Sequence, residues 1–203
     1  MAVIKNVYCS WIKIATPADN FNKDGKEWVC DFVLSEKQVK EFKKKYPSKK
    51  GSIKEIPTDE FERKFKFAPP YPEQDEQNIL KLKQSTTKAN GQPNKQPKVY
   101  LNTGAVKDGK PVLEDITQDS QKVGNGSLVS VSVTEYTPKG GPTAGKMTCY
   151  LSGIRVDELV EYAQEDELGV VGGGGSTPDE FEEGSSDGVE EVPPFDTEDD
   201  EDY

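Results

Sequence analysis

The chain has 203 residues, 31% charged and 33% hydrophobic, with a formal net charge of −11 and no histidine. That apolar content fills one globular domain and leaves an unpacked appendage. The missing histidine removes the commonest general base, every Ser-His triad, every Cys-His pair and the usual imidazole ligands of zinc, so no catalytic residue, cofactor or metal site is expected and the chain does not read as an enzyme.

Val3 to Ile14 is apolar and β-rich and ends at Thr16-Pro17. Lys26 to Leu34 reads as a second strand after the turn cluster Asn20 to Gly25, so the two predict a long antiparallel hairpin. Trp28 and Phe32 alternate with Asp31 and belong to its core side. Ser35, followed by Glu36, Lys37 and Gln38, is a helix start of the capping-box kind, with Val39 and Phe42 on one apolar face and a stop near Tyr46-Pro47. Lys43, Lys44, Lys45, Lys49 and Lys50 then form the densest positive cluster. Thr58 to Phe67 fits either a short helix or an irregular strand, and Pro69, Pro70 and Pro72 end it in both cases.

Asn78 to Thr86 alternates Leu80 and Leu82 with Lys81 and Lys83, the pattern of a strand with one face in the core and the other toward an anion. A loop from Lys88 to Pro97 leads to Lys98–Asn102, where Val99 and Leu101 alternate with Lys98 and Tyr100. Ser127 to Tyr136 sets Val129, Val131 and Val133 against Ser130, Ser132 and Thr134. The turn Pro138-Lys139-Gly140-Gly141-Pro142 joins it to a last strand, Lys146 to Val156, and Asp157 to Ala163 reads as a helical end.

Charge is segregated along this order. Residues 1–163 hold all 26 Lys and Arg with 21 Asp and Glu, a net +5, while residues 164–203 hold the other 16 acidic residues and no basic one, a net −16. The expected organisation is therefore a folded domain over 1–163 and a flexible acidic tail over 164–203, hinged at Gly172 to Gly175 and too polar to fold. Pro193-Pro194-Phe195 and the terminal Tyr203 bracket its last acidic run, Glu198 to Asp202. Cys9, Cys30 and Cys149 are odd in number and widely spaced, which argues against a disulfide framework and fits a reducing cytoplasm. No basic-then-apolar leader opens the sequence, and no apolar run approaches the roughly 20 residues that cross a bilayer, so no membrane partner is expected.

Strand lysines interleaved with aromatics are what a single-stranded nucleic acid demands, since it offers phosphates and unstacked base faces together. The candidates for phosphate are Lys13, Lys81, Lys83, Lys98, Lys107, Lys122 and Lys146; those for bases are Trp11, Tyr100, Tyr136 and Tyr150. Trp11 shares parity with Lys13 but also with Val7 and Cys9, which leaves both a surface and a core position open. The tail admits a matching role. Sixteen negative charges on a tether mimic a DNA backbone and compete for a basic groove. Phe195 and Tyr203, with Glu198, Asp199, Asp200, Glu201 and Asp202, would then be freed to dock on basic-rimmed partner pockets.

The order of these elements resembles the phage-encoded single-stranded DNA-binding proteins that join an OB-fold core to an acidic tail. The resemblance is carried by the strand pair around Trp11 and Trp28 to Leu34, by Leu80 to Lys83, by Val123-Gly124-Asn125-Gly126-Ser127 leading into Val129 to Val133, by Leu151-Ser152-Gly153-Ile154-Arg155-Val156, and by the aromatic-tipped tail. It implies an all-β fold with one or two short helices, a five-stranded OB barrel followed by the disordered tail. It further implies coating of single-stranded DNA in phage replication, recombination and repair in the cytoplasm of an infected bacterium. A tail that competes with DNA, mediates homodimer contacts and recruits a DNA polymerase and a helicase-primase belongs to the same implication. The lysine-rich stretch Lys37 to Arg63 departs from the simplest barrel. Two other classes remain open: a protein-interaction or chaperone-like module without DNA affinity, and a metal-dependent nuclease or annealing enzyme.

Overall fold

The computed structural model describes residues 2–20, 25–88, 90–142 and 144–161. The chain divides into two units, Met1–Gln164 and Glu165–Tyr203. The second unit lies outside the described residues, and with it every tail expectation, Phe195, Glu198 to Asp202 and Tyr203 included.

The described residues are all-β with two short helices. Eight strands form one sheet: β1 Ala2–Asp19, β2 Lys26–Leu34, β3 Ile53–Pro57, β4 Glu76–Ser85, β5 Lys98–Lys107, β6 Lys110–Asp115, β7 Leu128–Tyr136 and β8 Thr148–Glu158, with α1 Glu36–Lys45 and α2 Thr58–Phe65. Their spatial order is β3-β4-β2-β1-β7-β8-β5-β6. Neighbours are antiparallel except β5 and β8, which run parallel. The middle run, β4-β2-β1-β7-β8, is the strand order of a five-stranded OB barrel. β3 extends it at one end and the β5–β6 hairpin at the other, which is why eight strands stand where five were expected. β4 and β8 lie against each other without a hydrogen-bonded ladder, so the sheet does not close.

Alternation decides what lies inside. Val129, Val131 and Val133 of β7 meet Leu151, Ile154 and Val156 of β8, Cys30 and Phe32 of β2, Leu80 and Leu82 of β4, and Val7 and Cys9 of β1 in one buried cluster. α1 plugs an end of that cluster with Val39, Phe42 and Tyr46. Its start is the expected capping box: Gln38 N–H donates to Ser35 Oγ, and Ser35 N–H donates to Gln38 Oε1 at 2.8 Å. At its other end Tyr46 OH donates to Glu135 at 2.9 Å and Lys45 lies 2.8 Å from the same carboxylate, which holds Glu135 below its usual range. The three cysteines are free and buried; burial pushes the Cys9 thiol up to about 12 and the Cys149 thiol to about 11, so both stay protonated and inert.

α2 settles the open reading of Thr58 to Phe67 as a helix. It lies on the outside of the sheet, where Phe61 and Phe65 cover Val33 and Ile79 in a second apolar cluster. Each of those phenylalanines is worth about 1.5–3 kcal/mol by burial. The end of β8 corrects another expectation, because the described residues from Asp157 to Glu161 do not form a helix. β8 runs on to Glu158, Ser127 Oγ accepts from Val160 N–H at 2.9 Å, and Glu161 bridges to Val123, so long-range pairing holds the described part of this stretch extended.

The turn before β7 requires a glycine at 126. Gly126 has φ +90°, and a Cβ there would meet Phe67 Cδ2 at 3.0 Å. Gly126→Ala is therefore expected to destabilise the fold by about 1–3 kcal/mol, read as a lowered midpoint in thermal or urea unfolding; an unchanged midpoint would show that the turn relaxes without cost.

Candidate nucleic-acid interface

The outer face of β1, β2 and β4 is organised in rows by the two ladders. Tyr8, Val33 and Ile79 form the first row, roofed by α2; Ser10, Asp31 and Lys81 form the second; Lys13, Val29 and Lys83 form the third. Neighbouring strands lie roughly 4.8 Å apart, so each row spans about 10 Å.

Between the second and third rows β1 bulges. Ser10 pairs Asp31 and Lys13 pairs Val29, so Trp11 and Ile12 together oppose Cys30 alone. That extra residue resets the parity of β1: Val7 and Cys9 are fully buried, whereas Lys13 emerges on the same face as Ser10 and Ile14 turns inward. Trp11 takes φ +54°, uncommon for a bulky side chain, and is 50% exposed. Asn125 holds it there. The Trp11 N–H donates to Asn125 Oδ1 at 3.0 Å, while Asn125 Nδ2 donates to the Phe65 carbonyl at 2.9 Å. One side chain thus ties the bulge to the C-terminal end of α2, where Arg63 and Lys66 are exposed.

Each lysine of the two lower rows on β4 has a carboxylate on β2. Lys81 lies 3.7 Å from Asp31 and Lys83 lies 3.0 Å from Glu27. Burial raises the Asp31 carboxyl above its usual range, against the opposing pull of Lys81 and Lys54. Lys13 is exposed and has no ion pair among the described residues.

Lys49, from the 3₁₀ helix Pro47–Ser52, extends this face across the seam between β4 and β8. Its Nζ stands 5.0 Å from the Tyr150 ring centroid, and it lies within electrostatic reach of Lys83. Burial lowers its ammonium below the usual range. Ser48 Oγ donates to the Met147 carbonyl at 2.9 Å and fixes this helix to the start of β8. Tyr150 is 39% exposed and Tyr136 51% exposed; they sit diagonally on the outer face of β7 and β8, since Tyr150 pairs Thr134 and Tyr136 pairs Thr148.

The fold therefore brings Trp11, Lys13, Lys81, Lys83, Tyr150 and Tyr136 onto one continuous outer surface. Other candidates lie apart. Lys98 and Tyr100 are on β5, beyond β8, where Lys98 is paired with Asp115 at 2.9 Å and half-buried Tyr100 lies opposite Arg155. Lys107 is at the tip of the β5–β6 hairpin. Lys122 is paired with Asp119 at 3.1 Å on a 3₁₀ segment whose Ser120 binds the Ala15 N–H, and Lys146 is exposed in the turn before β8. Lys49, Asp31 and Glu27 were missed as site residues. The lysine-rich run that contains Lys49 was visible, but its docking on Tyr150 depends on a contact about a hundred residues away.

Among the described residues no group of three His, Cys, Asp or Glu is placed to hold a metal ion, and no helix is long and apolar enough to cross a membrane. No protein-family model matches this chain, and no curated protein matches it. Among solved structures it is similar to phage single-stranded DNA-binding proteins. One is the single-stranded DNA-binding protein from bacteriophage Enc34 in complex with ssDNA, at 10% identity and a TM-score of 0.43 over 77% of this chain and 85% of that one. Another is gp2.5, a single-stranded DNA-binding protein encoded by bacteriophage T7, at 16% identity and a TM-score of 0.38 over 82% of this chain and 94% of that one.

The two tryptophans should separate in solution. Trp28 is 7% exposed and Trp11 50%, so acrylamide is expected to quench two distinct fluorescence components, and Trp11→Phe should remove the accessible one; a single uniformly protected component would contradict the bulge.

Proposed function

We propose that this chain binds single-stranded DNA without strong sequence preference, across the outer face of β1, β2 and β4 and over the seam to Tyr150. The observation that carries the reading is the half-exposed Trp11, pushed out by the β1 bulge between rows that end in Lys81 and Lys83. An open aromatic beside cations stacks on any unpaired base, whereas a duplex hides its base faces. Trp11, Tyr150 and Tyr136 stack on bases; Lys13, Lys49, Lys81 and Lys83 meet phosphates. Lys98, Tyr100, Lys107, Lys122 and Lys146, which lie apart from this centre, are further contacts for DNA in the same proposal.

In the same reading the chain is a binding protein and not an enzyme, and residues 1–163 are the DNA-binding domain. The acidic tail 164–203 occupies the basic face when DNA is absent. Bound DNA frees Phe195, Glu198 to Asp202 and Tyr203 to recruit a polymerase and a helicase-primase. That role places the protein in phage DNA replication, recombination and repair in the cytoplasm of the infected host, with homodimer contacts through the tail.

The test is binding of labelled poly-dT and of a matched duplex by the full chain and by a chain ending at Ala163, across a salt series. The expected result is preference for the single strand, tighter binding after truncation, and an affinity that falls steeply with salt. Trp11→Ala should cost about 1–3 kcal/mol of binding, roughly 5- to 150-fold, and Lys13→Ala should reduce the salt slope by about 0.7. If neither chain binds the single strand, the protein is an interaction module whose active part is the tail.

A further inference from the structure

Two lysines of this face, Lys81 and Lys83, are not bare. The Asp31 side chain is 12% exposed beneath Lys81, and that of Glu27 is 13% exposed beside Lys83. Asp31 is the less firmly held of the two carboxylates. Its Oδ1 is buried without a hydrogen-bond partner, and Lys81 Nζ stands 3.7 Å away. The groups that face it are few. Ser10 of β1 is opposite in register, and its own hydroxyl is buried and unpartnered; Lys81 comes from β4, Lys54 from β3 acts at longer range, and the buried Cys30 thiol is its neighbour along β2.

A phosphate that recruits Lys81 takes from Asp31 its nearest cation. What remains is a carboxylate in a largely buried position without its nearest cation, which favours the neutral acid over the ion.

We propose that Asp31 is an affinity-determining residue, a resident competitor of the DNA phosphate for Lys81, and that binding exchanges the Lys81–Asp31 pair for a Lys81–phosphate pair with uptake of one proton by Asp31. The inference rests on the DNA-binding reading above. In the exchange the ammonium stays charged, the phosphodiester stays charged, and the proton comes from solvent, so the bound complex carries one more positive charge than its separated parts. Burial already holds Asp31 above the usual carboxylate range with Lys81 in place; loss of Lys81 raises it further. A group whose pKa is higher in the bound state tightens binding as pH falls through the bound-state value, and that gain is lost as pH rises through it. The slope cannot exceed tenfold per pH unit for one proton.

The experiment uses the full chain and a poly-dT oligonucleotide, whose thymines and phosphodiesters do not titrate between about pH 5 and 8. At fixed salt, affinity is expected to rise roughly three- to thirtyfold from about pH 8 to about pH 5, and addition of DNA in weakly buffered solution should take up protons. Asp31→Asn should bind at the upper pH about as tightly as the unaltered chain does at the lower pH, with a flat profile. Glu27→Gln should bind more tightly throughout and keep the slope. Parallel pH profiles for the unaltered chain and Asp31→Asn would overturn the proposal. So would binding without proton uptake, which is measured on the unaltered chain and overturns the proposal even if Asp31→Asn fails to fold. Failure of the unaltered chain to bind at every pH would instead sink the DNA reading on which this one depends.

Discussion

The extra residue in β1 is the constraint on which the candidate surface depends. Without it, a strand that buries Val7 and Cys9 would bury Lys13 as well, because period-two alternation permits nothing else. With Trp11 and Ile12 opposite Cys30 alone, the strand feeds the core before and after the bulge and still presents Lys13 and Trp11 to solvent. The positive φ at Trp11 is strain of the kind that persists only when the surroundings over-determine it. Asn125 supplies that determination, joining the bulge to Phe65 on a helix that is itself pinned by Phe61 and Phe65.

The electrostatics of the surface are those of a held charge. Lys81 and Lys83 each face a carboxylate on the next strand, and Lys98 and Lys122 have their own acidic partners. The two exposed pairs, Lys98–Asp115 and Lys122–Asp119, contribute little to stability. In the proposed reading the consequence of the held charges lies in binding, where a phosphate that takes Lys81 or Lys83 displaces a carboxylate. Lys49 differs from these lysines, since its partner is the Tyr150 ring, and it joins two groups of candidate residues across the unclosed seam.

Additions to the five-stranded core explain why the surface is bounded where it is. α2, which follows β3 at the edge of the sheet, roofs the Tyr8–Val33–Ile79 row and stops there, leaving the next two rows at its rim. At the other end, β5 pairs with β8 through Lys98 to Leu101 and carries β6 outward. Gly153 permits this approach, since a Cβ there would stand 3.2 Å from the Lys98 carbonyl.

What the sequence determined by itself is whatever depends on local pattern. Alternation marked β2, β4, β5 and β7, an apolar β-rich run marked β1, the turn that precedes β8 marked that strand, the Ser35 capping box marked α1, and the cut in charge near residue 163 separated a basic body from an acidic tail. β3 and β6 were invisible, because Ile53–Pro57 is too short to show a period and Lys110–Asp115 is exposed on both faces and interrupted by Pro111; the ladder that makes each a strand comes from its neighbour. The site divides the same way. Outward lysines at 81 and 83 could be read from Leu80 and Leu82, but the Asp31 and Glu27 beside them are set by inter-strand register, and the exposure of Trp11 by a bulge that parity counting cannot see. Tertiary structure decided these points because each is a relation between segments, and a sequence carries only the preferences of one segment at a time.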